Sequence, residues 1–193
     1  KTQTGSGARL LANRLSGPSK EVDTINARLD AVDYFFESEQ LREKVRETLK
    51  VTPDIERALS RLVVDRGGPR DLRAVCDGLY ASAVLSKLIK NYKKDLSHLP
   101  SDIANNIEQL GSYSALTDLL NKALAESLPM LARDGGFIQA GYHAELDRLK
   151  ALKDERRQLI SELQKRYADE SGINSIKIKH NNVLGYFVEV SSL

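Results

Sequence analysis

Residues 142–171 read YHAELDRLKALKDERRQLISELQKRYADES, thirty residues without a glycine or a proline. Because those two residues are the usual helix breakers, the stretch predicts one continuous helix, about 45 Å long at 1.5 Å per residue. An apolar stripe runs along one side of it: Tyr142, Leu146, Leu149, Leu152, Leu159, Ile160, Leu163 and Tyr167. Such a stripe on a long, charged helix is typical of contact with another helix.

A different periodicity follows this helix. Gly172 is expected to end it, and the next segment, SIKIKHNNVLGYFVEV at 175–190, alternates side-chain character on both sides of an Asn-containing turn. Alternation with period two around such a turn predicts an antiparallel β-hairpin. A two-stranded hairpin is only marginally stable alone, which raises the question of why a helical chain carries one here.

Capping and turn-forming residues divide residues 1–141 into shorter predicted helices. Ser19 is predicted to cap a helix that runs to Phe36, and Thr52, followed by Pro53, is predicted to cap another. Further helices are expected over 7–15, from 38, over 69–92, over 100–111 and on to about 127. The predicted fold is therefore mainly α: a multi-helix core over 1–141, a long helix over 142–171 that projects from it, and a C-terminal β-hairpin.

Length and composition set broad limits on function. The chain has 193 residues, of which 41% are hydrophobic and 29% charged, with a net charge of +2. This suffices for one globular domain and a small second piece, and the weak net charge neither indicates nor excludes a nucleic-acid partner. No stretch is apolar enough for a signal peptide or a membrane span, and the chain starts at Lys1. We therefore expect a fragment of a longer soluble protein.

No motif predicts catalysis. GSGARL at 5–10 lacks the third glycine of a dinucleotide-binding loop, and GGPR at 67–70 lacks the Lys-Ser/Thr pair of a nucleotide loop. His98, His143 and His180 are scattered, and the single cysteine, Cys76, is predicted to be a small buried hydrophobe. We expect this chain to be no enzyme, and to hold no catalytic, cofactor-binding or metal-binding residues.

The hairpin is the remaining candidate for a binding surface. Its turn and first strand carry ammonium, imidazole and amide groups that could contact phosphate oxygens without reading bases: Lys177, Lys179, His180, Asn181 and Asn182. The competing interpretation is a solvated strand edge that its lysines protect from aggregation, which is common. The residues alone leave both interpretations open.

Several segments together resemble one family, and they occur in its order. They are GARLLANRL (7–15), INARLDAVDYF (25–35), DIERALSRL (54–62), GGPRDL (67–72), RDGGFIQAGYHAELDRLKAL (133–152) and GINSIKIKHNNVLGYFVEV (172–190). From about Thr4 to Val190 the chain resembles the core and lever region of the MutS family of DNA mismatch-repair proteins. Members of a related branch that lacks mismatch recognition also lack the clamp, so the last segment favours the mismatch-repair branch.

The resemblance implies a modular parent protein. Residues 142–171 would be the lever that leaves the core, and residues 172–193 would begin a β-rich clamp that closes over the DNA backbone. Mismatch-recognition and connector domains would precede Lys1, and an ABC-type ATPase using ATP and Mg²⁺ would follow the returning lever. The implied partners are double-stranded mismatched DNA, a second copy in a homodimer, and other repair proteins, in a bacterial-type cytoplasm at the nucleoid and without a membrane.

An alternative of a different class stays open. A mainly helical chain with a terminal hairpin could serve as a protein-interaction scaffold with no role toward nucleic acid, the hairpin then acting only as a cap. An exposed basic hairpin tip and salt-dependent DNA binding by the parent would separate the two hypotheses.

Overall fold

The computed structural model describes residues 2–92 and 99–190, so His98 lies outside the described residues. The described chain is mainly α, which confirms the predicted class. Its elements are α1 (Gly5–Ser16), α2 (Val22–Glu37), α3 (Glu39–Val51), α4 (Ile55–Val63), α5 (Pro69–Lys90), α6 (Ser101–Gln109), α7 (Ser114–Ala123), α8 (Ala144–Ser171), β1 (Lys177–Asn181) and β2 (Gly185–Glu189). They form two compact units, Lys1–Gln139 and Ala140–Leu193.

The first unit has a core where α2, α3, α5 and α6 meet. Its buried side chains are Leu41, Ile89, Ile103 and Ile107, and α2 adds the half-buried Tyr34 and Phe35. These residues lie far apart in sequence, so burying their apolar surface holds four helices together rather than stabilising any one of them. Leu41 is completely buried.

A close helix–helix approach joins α4 to α5. A Cβ atom added at Gly78, in the middle of α5, would lie 2.2 Å from Cγ1 of Ile55. Because no side chain fits there, glycine at this position lets the two backbones approach, at a cost in helix propensity. On another side of α5, the Cys76 thiol donates to the Thr117 carbonyl oxygen (Sγ to O, 3.6 Å) in α7. Cys76 is buried, as its sequence context predicted.

Arginine side chains form ion pairs that join helices of the first unit. Arg9 of α1 donates to both carboxylate oxygens of Asp54, each at 2.8 Å, and to Oε2 of Glu56 at 2.6 Å. Arg61 of α4 pairs with Asp71, whose second oxygen accepts the Gly68 N–H at the start of α5. Charge-assisted, bidentate contacts of this kind fix geometry as well as contributing energy.

Two predicted helix caps are wrong, and one helix is shorter than predicted. The Ser19 hydroxyl accepts the Glu21 N–H two residues on, and α2 begins only at Val22. The residue that caps α4 is Asp54, which accepts the Arg57 N–H, while the Thr52 hydroxyl bonds back to the carbonyl oxygen of residue 48 in α3.

The third boundary is set by a distant segment. Helix α7 ends at Ala123 rather than near residue 127, because Leu124 is extended and forms a β-bridge with Ile138. The N–H of Gln139 donates to the carbonyl oxygen of Ala123 at 2.8 Å, which closes the loop between them. A pairing partner fourteen residues away decided where this helix stops.

The second unit is one long helix followed by the predicted hairpin. Helix α8 has 28 residues; it starts where Nδ1 of His143 accepts the Leu146 N–H and ends at Gly172, whose φ is 70°. Strands β1 and β2 are antiparallel, with residue 177 opposite 189 and residue 181 opposite 185. The long helix and the β-hairpin are both confirmed.

The apolar stripes of α8 and α2 remain largely exposed. No residue of α8 is buried, and Leu159 is 59% exposed, while Ile160 and Leu163 are half-buried. The α2 stripe that predicted this helix also faces solvent: Val22, Ile25, Leu29, Val32 and Phe36 are all exposed. Contiguous exposed apolar surface is typical of interaction sites on proteins.

Within the described ranges, no helix combines the length and the apolar character needed to cross a membrane.

Candidate nucleic-acid interface

The turn of the hairpin is built by an asparagine and a glycine. Oδ1 of Asn181 accepts the N–H groups of Val183 at 3.0 Å and Leu184 at 2.7 Å, and Gly185 takes a φ of 69°. A side chain that bonds its own backbone two and three residues on stabilises the turn locally, and a left-handed glycine then starts the return strand. The side-chain oxygen of Asn181, Oδ1, is therefore already used in the hydrogen bonds of the turn.

The two lysines of β1 share one face of the hairpin. Lys177 lies opposite Glu189, Lys179 lies opposite Phe187, and both lysines are exposed. Nζ of Lys179 reaches diagonally to Oε1 of Glu189 at 2.7 Å. This ion pair offsets the charge of Lys179, whereas Lys177 has no ion pair among the residues that the structure describes. Of the two cations, Lys177 is the one more available to an anion.

His180 lies on the opposite face. It stands across from Tyr186, with ring centroids 4.8 Å apart in an edge-to-face arrangement. Because successive side chains of a strand point to opposite faces, the His180 side chain and the two lysine side chains lie on different faces of the hairpin. The hairpin brings Lys177 and Lys179 together and separates His180 from them. Asn182 is exposed in the turn, next to Asn181.

The tip of the hairpin carries exposed apolar residues, which were not among the predicted binding residues. Val183 is 91% exposed and Leu184 is also exposed. Two consecutive apolar residues within a turn, where polar residues are usual, were the available signal. The hairpin therefore presents two lysines on one face and two exposed apolar residues at its tip.

The hairpin is attached to the helix by backbone and side-chain contacts. Oε1 of Gln164, in α8, accepts the N–H of Ile178 at 3.0 Å, and Ile176, just before β1, is buried. The bond uses an N–H on the edge of β1 that faces the helix. It ties the strand to α8 and so orients the lysine face relative to the helix.

Outside the hairpin, several ionisable side chains contribute to the fold of the first unit. The Arg9 guanidinium lowers the pKa of the Asp54 carboxyl to about 2, and Arg61 lowers the pKa of Asp71. Burial raises the pKa of the Cys76 thiol, which favours the unreactive protonated form. Across 2–92 and 99–190, no three His, Cys, Asp or Glu side chains are grouped so that they could hold a metal ion.

Comparison with known proteins identifies the family to which this chain is similar. The sequence profile of MutS domain III matches residues 1–177. The chain is 49% identical over 192 residues to DNA mismatch repair protein MutS of Ruegeria sp. (strain TM1040), and 46% identical to that of Ruegeria pomeroyi. It is 45% identical to the MutS of Cereibacter sphaeroides (strain ATCC 17023). Each match covers 100% of this chain and 21% of the relative.

The chain thus spans about a fifth of the length of these relatives. The profile covers more than nine tenths of the chain, and the identity to full-length relatives extends over all of it. Matches this long and this similar leave one assignment: the chain belongs to the MutS domain III family.

Proposed function

We propose that this chain is the core and lever part of a DNA mismatch-repair protein. It links a clamp that embraces DNA, begun by residues 172–193, to an ATPase domain outside this chain. Residues 1–141 serve as the helical core and residues 142–171 as the lever. The whole chain acts by coupling the two ends mechanically, and it catalyses no reaction itself.

The observation that supports this most is the junction of α8 with the hairpin. Five residues after this 28-residue helix β1 begins, and the bond from Ile178 to Gln164 ties the strand to the helix. A helix that buries none of its own residues does not act as part of a core. It is suited to carrying a second element at a distance, since it spans about 42 Å.

The hairpin contributes binding to the DNA backbone that does not depend on sequence. Lys177 is the main cation, and Lys179, His180, Asn181 and Asn182 are the other candidates. Lys179 pairs with Glu189, and Asn181 is used in the turn. Lys179 and Asn181 therefore contribute less to DNA binding than Lys177. Lysine at a phosphate adds affinity and salt dependence but no discrimination between bases.

The full-length protein supplies what this chain lacks. We expect it to bind ATP and Mg²⁺, to bind double-stranded DNA containing a mismatch, to form a homodimer and to contact other repair proteins. We expect it to act in a bacterial cytoplasm, at the nucleoid. These expectations extend what the names of the relatives state, DNA mismatch repair, to the parent of this chain.

Two binding titrations test the hairpin's share. Full-length protein with Lys177→Gln and Lys179→Gln is titrated against a matched duplex and a duplex with one mismatch, at two salt concentrations. We expect both duplexes to be bound more weakly by similar factors. The slope of log K against log salt should fall by about 0.9 for each lysine that contacts a phosphate. Glutamine avoids placing a second carboxylate beside Glu189.

The matched control removes the same charge from the exposed surface of α8, through Lys153→Gln and Lys165→Gln. It should leave both affinities nearly unchanged. A loss confined to the mismatched duplex, an equal loss in the control, or no loss at all would remove the hairpin from the DNA-contacting surface. The last result, with the fold intact, would favour the scaffold alternative.

A further inference from the structure

A pocket with several arginines in its lining lies where α4 meets α5 in the first unit. The turn between these helices forms one wall through residues 66–68, and residues 130–132 form another. Its volume is about 380 Å³, at the lower end of the range for small-molecule sites. Three arginines line it, Arg61, Arg66 and Arg70, against one acid, Asp71. The lining therefore carries an excess of two positive charges.

The single acid of the pocket is already used. Oδ1 of Asp71 accepts from Nε of Arg61 at 2.9 Å, and its Oδ2 accepts the Gly68 N–H at 3.0 Å. The Arg61 guanidinium lowers the pKa of the Asp71 carboxyl, so this carboxylate stays ionised at neutral pH. Arg61 and Asp71 thus neutralise each other. The excess positive charge belongs to Arg66 and Arg70.

These two arginines are available to an anion. Within residues 2–92 and 99–190, neither of them forms an ion pair. Nε of Arg70 donates to the carbonyl oxygen of Leu128 at 3.0 Å, which holds this side chain near the pocket. The Arg66 N–H donates to the carbonyl oxygen of Arg61 at 2.8 Å, which fixes the backbone that carries the Arg66 side chain. Guanidinium groups placed in this way suit an oxyanion, which arginine binds through paired N–H groups.

The turn that carries Arg66 has an unusual backbone. Asp65, directly before it, takes a left-handed φ of 56°. Residues other than glycine are uncommon in that region, and such positions are concentrated at ligand-binding sites. A Cβ atom added at Gly68 would lie 2.8 Å from the carbonyl oxygen of Met130, so glycine allows the two walls of the pocket to approach. The turn is therefore shaped to place Arg66 beside residues 130–132.

We propose that this pocket, which we call the Arg66 pocket, binds the phosphate monoester group of a small organic phosphate. A monoester carries a charge of about −1.5 to −2 at pH 7, which matches the two uncompensated arginines. A phosphate of the DNA backbone is a diester with a single charge in a continuous chain, so it matches this compact pocket less well. Met130 and Leu131, both exposed, supply an apolar wall for the organic part of the ligand.

Methyl NMR spectroscopy of the full-length protein tests the Arg66 pocket. Methionine methyl groups are labelled with ¹³C, and the signal of Met130, identified through Met130→Leu, reports on the pocket wall. Ribose 5-phosphate is titrated in at constant ionic strength, with chloride as the balancing anion. We expect the Met130 signal to shift and to saturate. Dimethyl phosphate, a diester with one charge, should bind about fivefold more weakly, as expected for the loss of one exposed charge pair.

Single substitutions test the two arginines. Arg66→Gln and Arg70→Gln should each weaken the binding of ribose 5-phosphate about fivefold, because each removes one exposed charge pair with the phosphate. Arg70→Gln also removes the bond to Leu128, so Arg66→Gln is the decisive variant. Arg46→Gln, which removes the same charge from the exposed surface of α3, should leave the titration unchanged. Circular dichroism checks that each variant is folded.

Several results would overturn the proposal. A Met130 signal that does not move means that the pocket binds no phosphate, and an unchanged shift in Arg66→Gln places the phosphate elsewhere in the protein. Equal binding of dimethyl phosphate means an adventitious anion only, and equal binding of inorganic phosphate removes the role of the apolar wall. None of these measurements involves DNA. The inference goes beyond the proposed function, so its failure leaves the hairpin titrations untouched, and their failure leaves it standing.

Discussion

The helices of the first unit and helix α8 are stabilised in different ways. In the first unit, residues from four helices meet in one buried cluster around Leu41 and Ile103. No residue of helix α8 is fully buried, and its charged residues pair along its own length, as in Glu145–Arg148 at 3.8 Å and Arg166–Glu170 at 3.9 Å. One region depends on contacts between helices, whereas the other depends on its ends and its own surface.

Each region is therefore sensitive to substitution at different places. Local pairs on a helix surface contribute only about 0.3–0.5 kcal/mol each, while a buried leucine contributes several times more. A helix held by local interactions tolerates change along its length but depends on its first and last turns. The five predictions below test this contrast, beginning with the largest effect.

Truncation of the most buried leucine should cost most. Leu41 is 0% exposed, so Leu41→Ala should lower the free energy of unfolding by about 2–5 kcal/mol through lost burial and a cavity. Leu159→Ala, the same change on exposed α8, should stay within about 0.5 kcal/mol. Urea denaturation followed by circular dichroism measures both. Equal losses at the two sites would erase the contrast.

A methyl group at the α4–α5 contact should cost less. For Gly78→Ala, overpacking against Ile55 should cost an amount at the upper end of about 1–3 kcal/mol, because the new Cβ would lie 2.2 Å from Cγ1 of Ile55. This exceeds the ~1 kcal/mol that alanine gains in helix propensity. In an Ile55→Ala background the same change should be milder, because the atoms 2.2 and 2.3 Å from the new Cβ are gone. A double-mutant cycle, measured by urea denaturation, gives the coupling free energy between positions 55 and 78. If the two losses of stability were strictly additive, the predicted clash would be ruled out.

At the end of α8, the backbone conformation should matter. Gly172→Ala forces a side chain into the left-handed region and should cost about 1–2 kcal/mol. Gly172→Asn should cost less, since asparagine tolerates that region. Hydrogen exchange of the β1 and β2 amides measures this loss of stability, because Gly172 ends α8 and so sets where the chain turns towards the hairpin. Similar exchange in the two variants would argue against a conformational cause.

The Arg9–Asp54 contact should depend on acid. The pKa of Asp54 is lowered from 3.8 to about 2, so the pair stabilises the fold above pH 4 and loses this effect as the pH falls towards 2. Asp54→Asn should therefore be less stable than the parent chain at pH 7 and equally stable near pH 2. Urea midpoints across that range test it. A constant difference at every pH would point to the cap of α4 rather than to the charge.

Single charges on α8 should have the smallest effect. Glu145→Gln removes one exposed pair with Arg148 and should cost about 0.3–0.5 kcal/mol at low salt and less at high salt. Thermal unfolding followed by circular dichroism at two salt concentrations is sensitive enough to detect it. A cost above 1 kcal/mol would mean that α8 depends on its surface pairs far more than its exposure suggests.

What the sequence could predict follows the same division. Helix α8 and the hairpin were predictable because their signals are local: thirty residues without Gly or Pro, then alternation around a turn. The resemblance to the MutS family came from segments of the chain and is confirmed by matches over its whole length. Local sequence was also enough to identify Cys76 as buried.

Features that depend on distant partners were not predictable. The early end of α7 depends on the pairing of Leu124 with Ile138, and the choice of Asp54 as a cap coincides with its bond to Arg9, 45 residues away. In the hairpin, the residues were identifiable as polar. Their separation onto two faces and the pairing of Lys179 with Glu189 required the register of the strands.

The bond between Gln164 and Ile178 also has a geometric consequence. Because it attaches the strand to the last third of α8, it couples the hairpin to the direction of that part of the helix. Tilting a 28-residue helix by about 5° at its first turn displaces its last turn by roughly 4 Å over its length of ~42 Å. A small angular change at Ala144 would thus move the hairpin by a distance comparable to the spacing between neighbouring strands.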